Sequence, residues 1–99
     1  MTAFVYILAN RRQGTLYTGV CRDLSRRVWE HREGHGSEFA EKWGCAKLVW
    51  YDRFERFVDA IAYEKRVKKW RRTWKIDLIE KANPDWRDLY LDMGGWTGR

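Results

Sequence analysis

Five side chains along the sequence have the chemistry to act on an anion: Tyr6, Tyr17, Arg27, His31 and Glu64. Arginine offers a permanently charged fork that matches two phosphate oxygens, and glutamate offers one hard oxygen to a cation. Histidine moves a proton near neutral pH, whereas a free phenol, with a pKa near 10, does so only where its surroundings lower that value. Residues this far apart in sequence act together only if the fold brings them to one surface.

The tyrosines sit in two short β-prone runs, Ala3 to Ala9 (AFVYILA) and Thr15 to Cys21 (TLYTGVC), separated by the polar interval Asn10 to Gly14. This pattern predicts a hairpin with Gly14 at the exit of its turn. Side chains alternate between the faces of a ribbon, so loop parity decides where the tyrosines point. A four-residue loop, Asn10 to Gln13, pairs Ala9 with Gly14 and Tyr6 directly with Tyr17, with both hydroxyls on one face. Asp23 is placed to cap a helix that runs to about Glu33 and is stopped by Gly34 and Gly36. At about 100° per residue, Leu24, Arg27, Val28 and His31 share one arc, which turns the arginine and the histidine toward the sheet margin. An arginine snorkelling over Leu24 satisfies the same spacing.

Residues 36–44 read as a loop or short helical turn, Lys47 to Phe54 (KLVWYDRF) as a third strand, and Val58 to Arg72 as a second helix. The apolar stripe of that helix is Ala60, Tyr63, Val67 and Trp70, with Glu64 on its shoulder among cations. A half-buried carboxylate needs a partner, either Lys68 one turn on or a metal ion. A third helix covers Trp74 to Ala82 and stops before Pro84. The element order is ββαβαα, one layer of sheet against helices in an α+β domain of residues 1–91, with 92–99 as a frayed tail.

A chain of 99 residues with 44% hydrophobic and 16% aromatic residues can bury its own core, which excludes a disordered segment. Cys21 and Cys45 lie far apart, outside any C-x-x-C pattern, and their spacings to His31 and His35 predict no structural zinc. With no apolar run of membrane-spanning length, a cytoplasmic protein that does not engage membranes is expected. The net charge of +6 is unevenly spread: residues 1–75 carry 17 Lys and Arg against 9 Asp and Glu, and residues 76–99 carry 3 against 5. The densest run, Lys65, Arg66, Lys68, Lys69, Arg71, Arg72 and Lys75, has no acid among its basic residues. A localised surplus is a footprint for a polyanion, although a solvated helix face gives the same run.

Val5-Tyr6-Ile7 and Tyr17-Thr18-Gly19 across a hairpin, then Arg27-x-x-x-His31 on a helix and Glu64 on a later one, resemble the GIY-YIG nuclease superfamily. The likeness is to its small stand-alone bacterial members and to the nuclease domain of the excinuclease C subunit, and it covers about residues 3–80. It implies a three-stranded antiparallel sheet flanked by helices, with the site on one sheet face. By position Tyr6 and Tyr17 match the two motif tyrosines, Gly19 the structural glycine of a turn, Arg27 and His31 the helix pair, and Glu64 the metal-ligating glutamate. The first triplet departs from the pattern by carrying Val5 for glycine, the second by carrying Thr18 for isoleucine, and no second domain accompanies them.

The activity so implied is metal-dependent endonucleolytic hydrolysis of phosphodiester bonds in DNA, structure-dependent in the manner of repair or recombination, with Mg²⁺ or Mn²⁺ held by Glu64. Arg27 stabilises charge on the phosphoryl oxygens, Tyr6 or Tyr17 orients the attacking water, and His31 relays a proton or holds a tyrosine hydroxyl. Nucleic acid, DNA in preference to RNA, is expected along Arg11, Arg12, Arg26, Lys65, Lys68, Lys69, Arg71 and Arg72. Two other classes fit the same residues: a non-catalytic nucleic-acid-binding module that keeps the fold, and an interaction domain that presents its tryptophans to a protein.

Overall fold

The computed structural model describes residues 2–34 and 38–93. His35 as a zinc ligand, Gly36 as a helix stop and the tail from 94 to 99 lie outside the described residues. The elements in chain order are β1 (Ala3–Ala9), β2 (Leu16–Cys21), α1 (Leu24–Arg32), α2 (Glu38–Trp43), β3 (Lys47–Phe54), α3 (Phe57–Lys69), α4 (Arg72–Ala82) and α5 (Leu89–Asp92). The short helices α2 and α5 join the expected order. Among the described residues no helix is long and apolar enough to cross a membrane.

The sheet is antiparallel with strand order β2-β1-β3. Its central strand β1 is covered on both sides, which is why its sequence is continuously apolar instead of alternating. Ala3, Val5, Ile7 and Ala9 face Ala60 and Val67 of α3, Ile79 of α4 and Trp86. On the opposite face, Tyr6 and Leu8 meet Leu24 and Val28 of α1, Ala40 of α2 and Tyr90 of α5. Helices therefore flank the sheet on both faces, and each fully buried Val, Leu or Ile contributes roughly 1.5–3 kcal/mol.

Ala9 pairs with Leu16, so the hairpin loop has six residues, Asn10 to Thr15, and not four. The Asn10 side chain is the reason: its Oδ1 accepts from the Thr15 backbone N–H at 2.9 Å and closes a longer loop than backbone alone would. From α4, Arg72 donates to the carbonyls of Gln13 and Gly14 and fixes the loop from outside. The register becomes Tyr6 opposite Gly19 and Tyr17 opposite Leu8. Because both loop lengths are even, the tyrosines still share a face, as diagonal instead of direct neighbours. Gly19 lies inside β2 and not in a turn.

On β3 a bulge between the Ile7↔Trp50 and Leu8↔Leu48 pairs turns both Val49 and Trp50 to the α3 side, and Asn83 donates to the Val49 carbonyl at 3.0 Å. Asp23 caps α1 by accepting from the Arg26 N–H, and Gly34 ends that helix region at φ +82. The helix expected to run to Arg72 breaks at Trp70 and Arg71, whose backbones are extended, and α4 starts at Arg72. The break lets α4 fold back so that Ile79 reaches the core, which a continuous helix would carry away from the sheet. Asp88 caps α5, accepts from the Leu48 N–H and pairs with Arg32 at 2.6 Å, so residues 85–91 belong to the packed domain through Tyr90.

Candidate active site

The five residues come from four elements. Tyr6 and Tyr17 project from adjacent strands onto the α1 face, and their ring centroids lie 6.3 Å apart. His31 meets both from α1, at 5.8 Å from the Tyr6 ring and 5.3 Å from that of Tyr17. Its Nε2 is 3.0 Å from the Tyr6 hydroxyl, and its Nδ1 is buried without a partner among the described groups. The Tyr6 ring lies directly over Gly19: a Cβ there would be 2.5 Å from both Cζ and the hydroxyl oxygen. The absent side chain of Gly19 is therefore the space in which Tyr6 reaches His31.

Burial, then the neighbouring Tyr17 and Cys21, push the Tyr6 phenol far above its ordinary value, with Glu64 adding to the rise and Arg27 opposing it. Tyr6 is thus a neutral hydrogen-bonding group at neutral pH, not a base. Burial, then the Arg27 charge, depress His31 to about 4, while Glu30 works the other way. His31 is neutral above that value. Its folded pKa lies below the ordinary 6.5, so the unfolded chain binds more protons between pH 6.5 and 4, and stability falls as pH drops through that window. The expected loss is on the order of 2–3 kcal/mol by pH 4, measured by urea unfolding. His31→Phe should flatten that part of the profile; an unchanged acid limb in the variant removes His31 as its source.

Arg27 is held from its own helix by Glu30, Nη1 to Oε1 3.2 Å, and the same carboxylate takes Arg26 at 3.4 Å. Glu30 was not anticipated as part of the site, although its spacing of three and four residues from these cations is the legible signal. Glu64 is more buried than a shoulder position implies, forming with Ala60 and Val67 the buried side of α3. Its Oε2 lies 2.8 Å from Lys68 Nζ, and that ammonium stands 6.0 Å from the Tyr17 ring centroid. Lys68, one of the two expected partners of Glu64, is thus in contact with it. Among the described residues no three His, Cys, Asp or Glu side chains cluster as a metal cage. A hard ion with a mostly aqueous shell needs only one such protein ligand, and here it would share the largely buried Glu64 carboxylate with Lys68.

A family model described as the GIY-YIG catalytic domain matches residues 2–77. The chain belongs to the GIY-YIG family. Within this nuclease family it is similar to small stand-alone bacterial proteins. It is 36% identical over 80 residues to a UPF0213 protein of Clostridium perfringens, spanning 81% of this chain and 85% of that one. To a UPF0213 protein of Staphylococcus aureus it is 32% identical over 78 residues, spanning 79% and 94%. The solution NMR structure of a UPF0213 protein from Bacillus halodurans matches with a TM-score of 0.55 at 30% identity, covering 89% of this chain and 93% of that one. The GIY-YIG tyrosines thus stand in the hairpin that the fold places at the α1 face.

Of the expected cationic surface, Arg11, Arg12, Lys65 and Lys69 are exposed on the hairpin loop and α3. Arg71 lies over the Trp74 ring, and Lys75 donates to the Lys68 carbonyl. Arg72 is occupied with the hairpin loop and so acts first on the site's framework.

Proposed function

We propose that the protein is a divalent-metal-dependent endonuclease that hydrolyses phosphodiester bonds in DNA, including branched or damaged structures, in the cytoplasm. The observation that carries this reading is the convergence of Tyr6, Tyr17 and His31 within ring contact, with Arg27 one turn before His31 on α1 and Lys68, the ion-pair partner of Glu64, beside the Tyr17 ring. Arg27, fixed by Glu30 and partly exposed, is placed to bind two phosphoryl oxygens. Tyr17, half-buried where Tyr6 is closed off, orients the attacking water. Neutral His31 holds the Tyr6 hydroxyl in place. Glu64 would hold Mg²⁺ or Mn²⁺, which supplies charge stabilisation at the departing 3′ oxygen. Incubation with plasmid and branched DNA in Mg²⁺, Mn²⁺ or EDTA tests the reading: cleavage with either ion and none in EDTA supports it, and no cleavage under any of these sinks it.

The Lys68 ammonium on Glu64 favours a second reading, a nucleic-acid-binding module without chemistry, in which that ion pair simply closes the site. Both readings require phosphate contacts. If Lys65, Lys69 and the hairpin arginines neutralise three or four phosphates, affinity for duplex DNA should fall roughly 40- to 150-fold from 50 to 200 mM salt. Replacing Lys65 and Lys69 together by Ala should lower the slope of log affinity against log salt by about 2. Fluorescence anisotropy measures both, and a salt-indifferent affinity rules out this surface as the binding face.

A further inference from the structure

We propose that Phe39 and Trp43 on α2, continuous with Tyr17, form a stacking site for unpaired nucleobases beside the candidate active site. The inference rests on the nucleic-acid reading above and specifies the form of substrate. Phe39 and Trp43 are 47% and 48% exposed, a costly arrangement for large aromatic groups unless they are used. The Phe39 ring stacks on Tyr17 with centroids 6.2 Å apart and planes inclined by only 28°, and Trp43 follows at 6.5 Å. A line of rings thus runs from His31 through Tyr17 and Phe39 out to Trp43.

Charge decides what fits there. Lys42 Nζ lies 5.7 Å from the Trp43 ring centroid at the outer end of the line, and Lys68 Nζ, which also pairs with Glu64, lies 6.0 Å from that of Tyr17. The acid Glu41 leaves α2 on the side of Gly34, where its Oε1 comes within 3.6 Å of the Cβ position, away from the rings by roughly 160° on the helix wheel. Rings flanked by ammonium groups match a single strand, whose bases offer π faces and whose backbone offers charge. In a duplex the bases are stacked on each other and their faces are closed to the protein. A strand bound along this line enters the site with its scissile phosphate next to an unpaired base.

The test uses anisotropy in EDTA with a fluorescein-labelled oligothymidine and a blunt duplex of equal length, against wild type, Phe39→Leu and Trp43→Leu. Leucine keeps apolar bulk at these half-exposed positions while removing the π face. Each substitution should weaken oligothymidine binding roughly 5- to 100-fold and alter duplex binding less than twofold, and Trp43→Phe should restore most of the loss. Unchanged oligothymidine affinity, with wild type still binding both ligands, overturns the stacking site alone. Unchanged affinities accompanied by a shift in oligomeric state on Trp43→Leu overturn it in favour of a protein contact. A wild type that binds neither ligand at low salt overturns the nucleic-acid reading itself, and this inference with it.

Discussion

Glu64→Gln should abolish cleavage, by roughly 10²–10³-fold or more, while leaving the domain folded. Glutamine preserves the shape that packs beside Ala60 and Val67 but removes the charge on which a hard cation depends. Lys68 makes this change informative, because its ammonium already sits 2.8 Å from the same oxygen. The companion variant is Lys68→Met, which keeps the aliphatic stem over Tyr17 and removes the tethered cation. Lys68 is half exposed but Glu64 is largely buried, so leaving that carboxylate without its ammonium should cost on the order of 1–3 kcal/mol, which bound Mg²⁺ or Mn²⁺ should restore. If Glu64 ligates Mg²⁺ or Mn²⁺, taking away its competitor should lower the ion concentration needed for half-maximal cleavage. Mn²⁺ binding followed by electron paramagnetic resonance should tighten in Lys68→Met and vanish in Glu64→Gln. Equal cleavage by wild type and Glu64→Gln, with equal metal dependence, would remove Glu64 from the site and leave the ion pair as its whole role.

That pair illustrates how the site could be read from sequence and where reading stopped. Lys68 was legible as a partner of Glu64 because helical spacing puts it one turn away, whereas spacing carries no signal for the depth at which the carboxylate is buried. The shared face of Tyr6 and Tyr17 was legible because it depends only on an even loop. The loop length was not, since it turns on one side-chain hydrogen bond from Asn10. β3 and α1 followed from local signals, an apolar run and an Asp cap. The break at Trp70 and Arg71 carries no glycine or proline and arises from the tertiary pull of Ile79 into the core, so no local signal marks it. Phe39 escaped notice for a similar reason. Six residues, EFAEKW, are too few to display helical periodicity, and only the fold brings that helix beside Tyr17.

Gly19→Ala should destabilise the fold and distort the candidate site together. The added Cβ would stand 2.5 Å from Tyr6 Cζ and from its hydroxyl oxygen, and 3.0 Å from Cε1, inside any tolerable contact. Tyr6 is 1% exposed, so its ring cannot swing into solvent to make room. Overpacking of this kind costs roughly 1–3 kcal/mol, which for a domain of this size lowers the melting temperature by roughly 5–20 °C. The backbone of Gly19 is not in the left-handed region, so space and not φ is the cause, and that distinction can be measured. In a Tyr6→Ala background the three nearest of these contacts are gone, and Gly19→Ala should then cost at most a few tenths of a kcal/mol. A double-mutant cycle by thermal unfolding gives the coupling, and a cost that persists without the Tyr6 ring would trace the glycine to its strand backbone instead. Activity should fall further than stability in Gly19→Ala. The displaced ring loses its 3.0 Å contact with His31 and moves against Tyr17, so the face that gathers the candidate residues is altered even in molecules that remain folded.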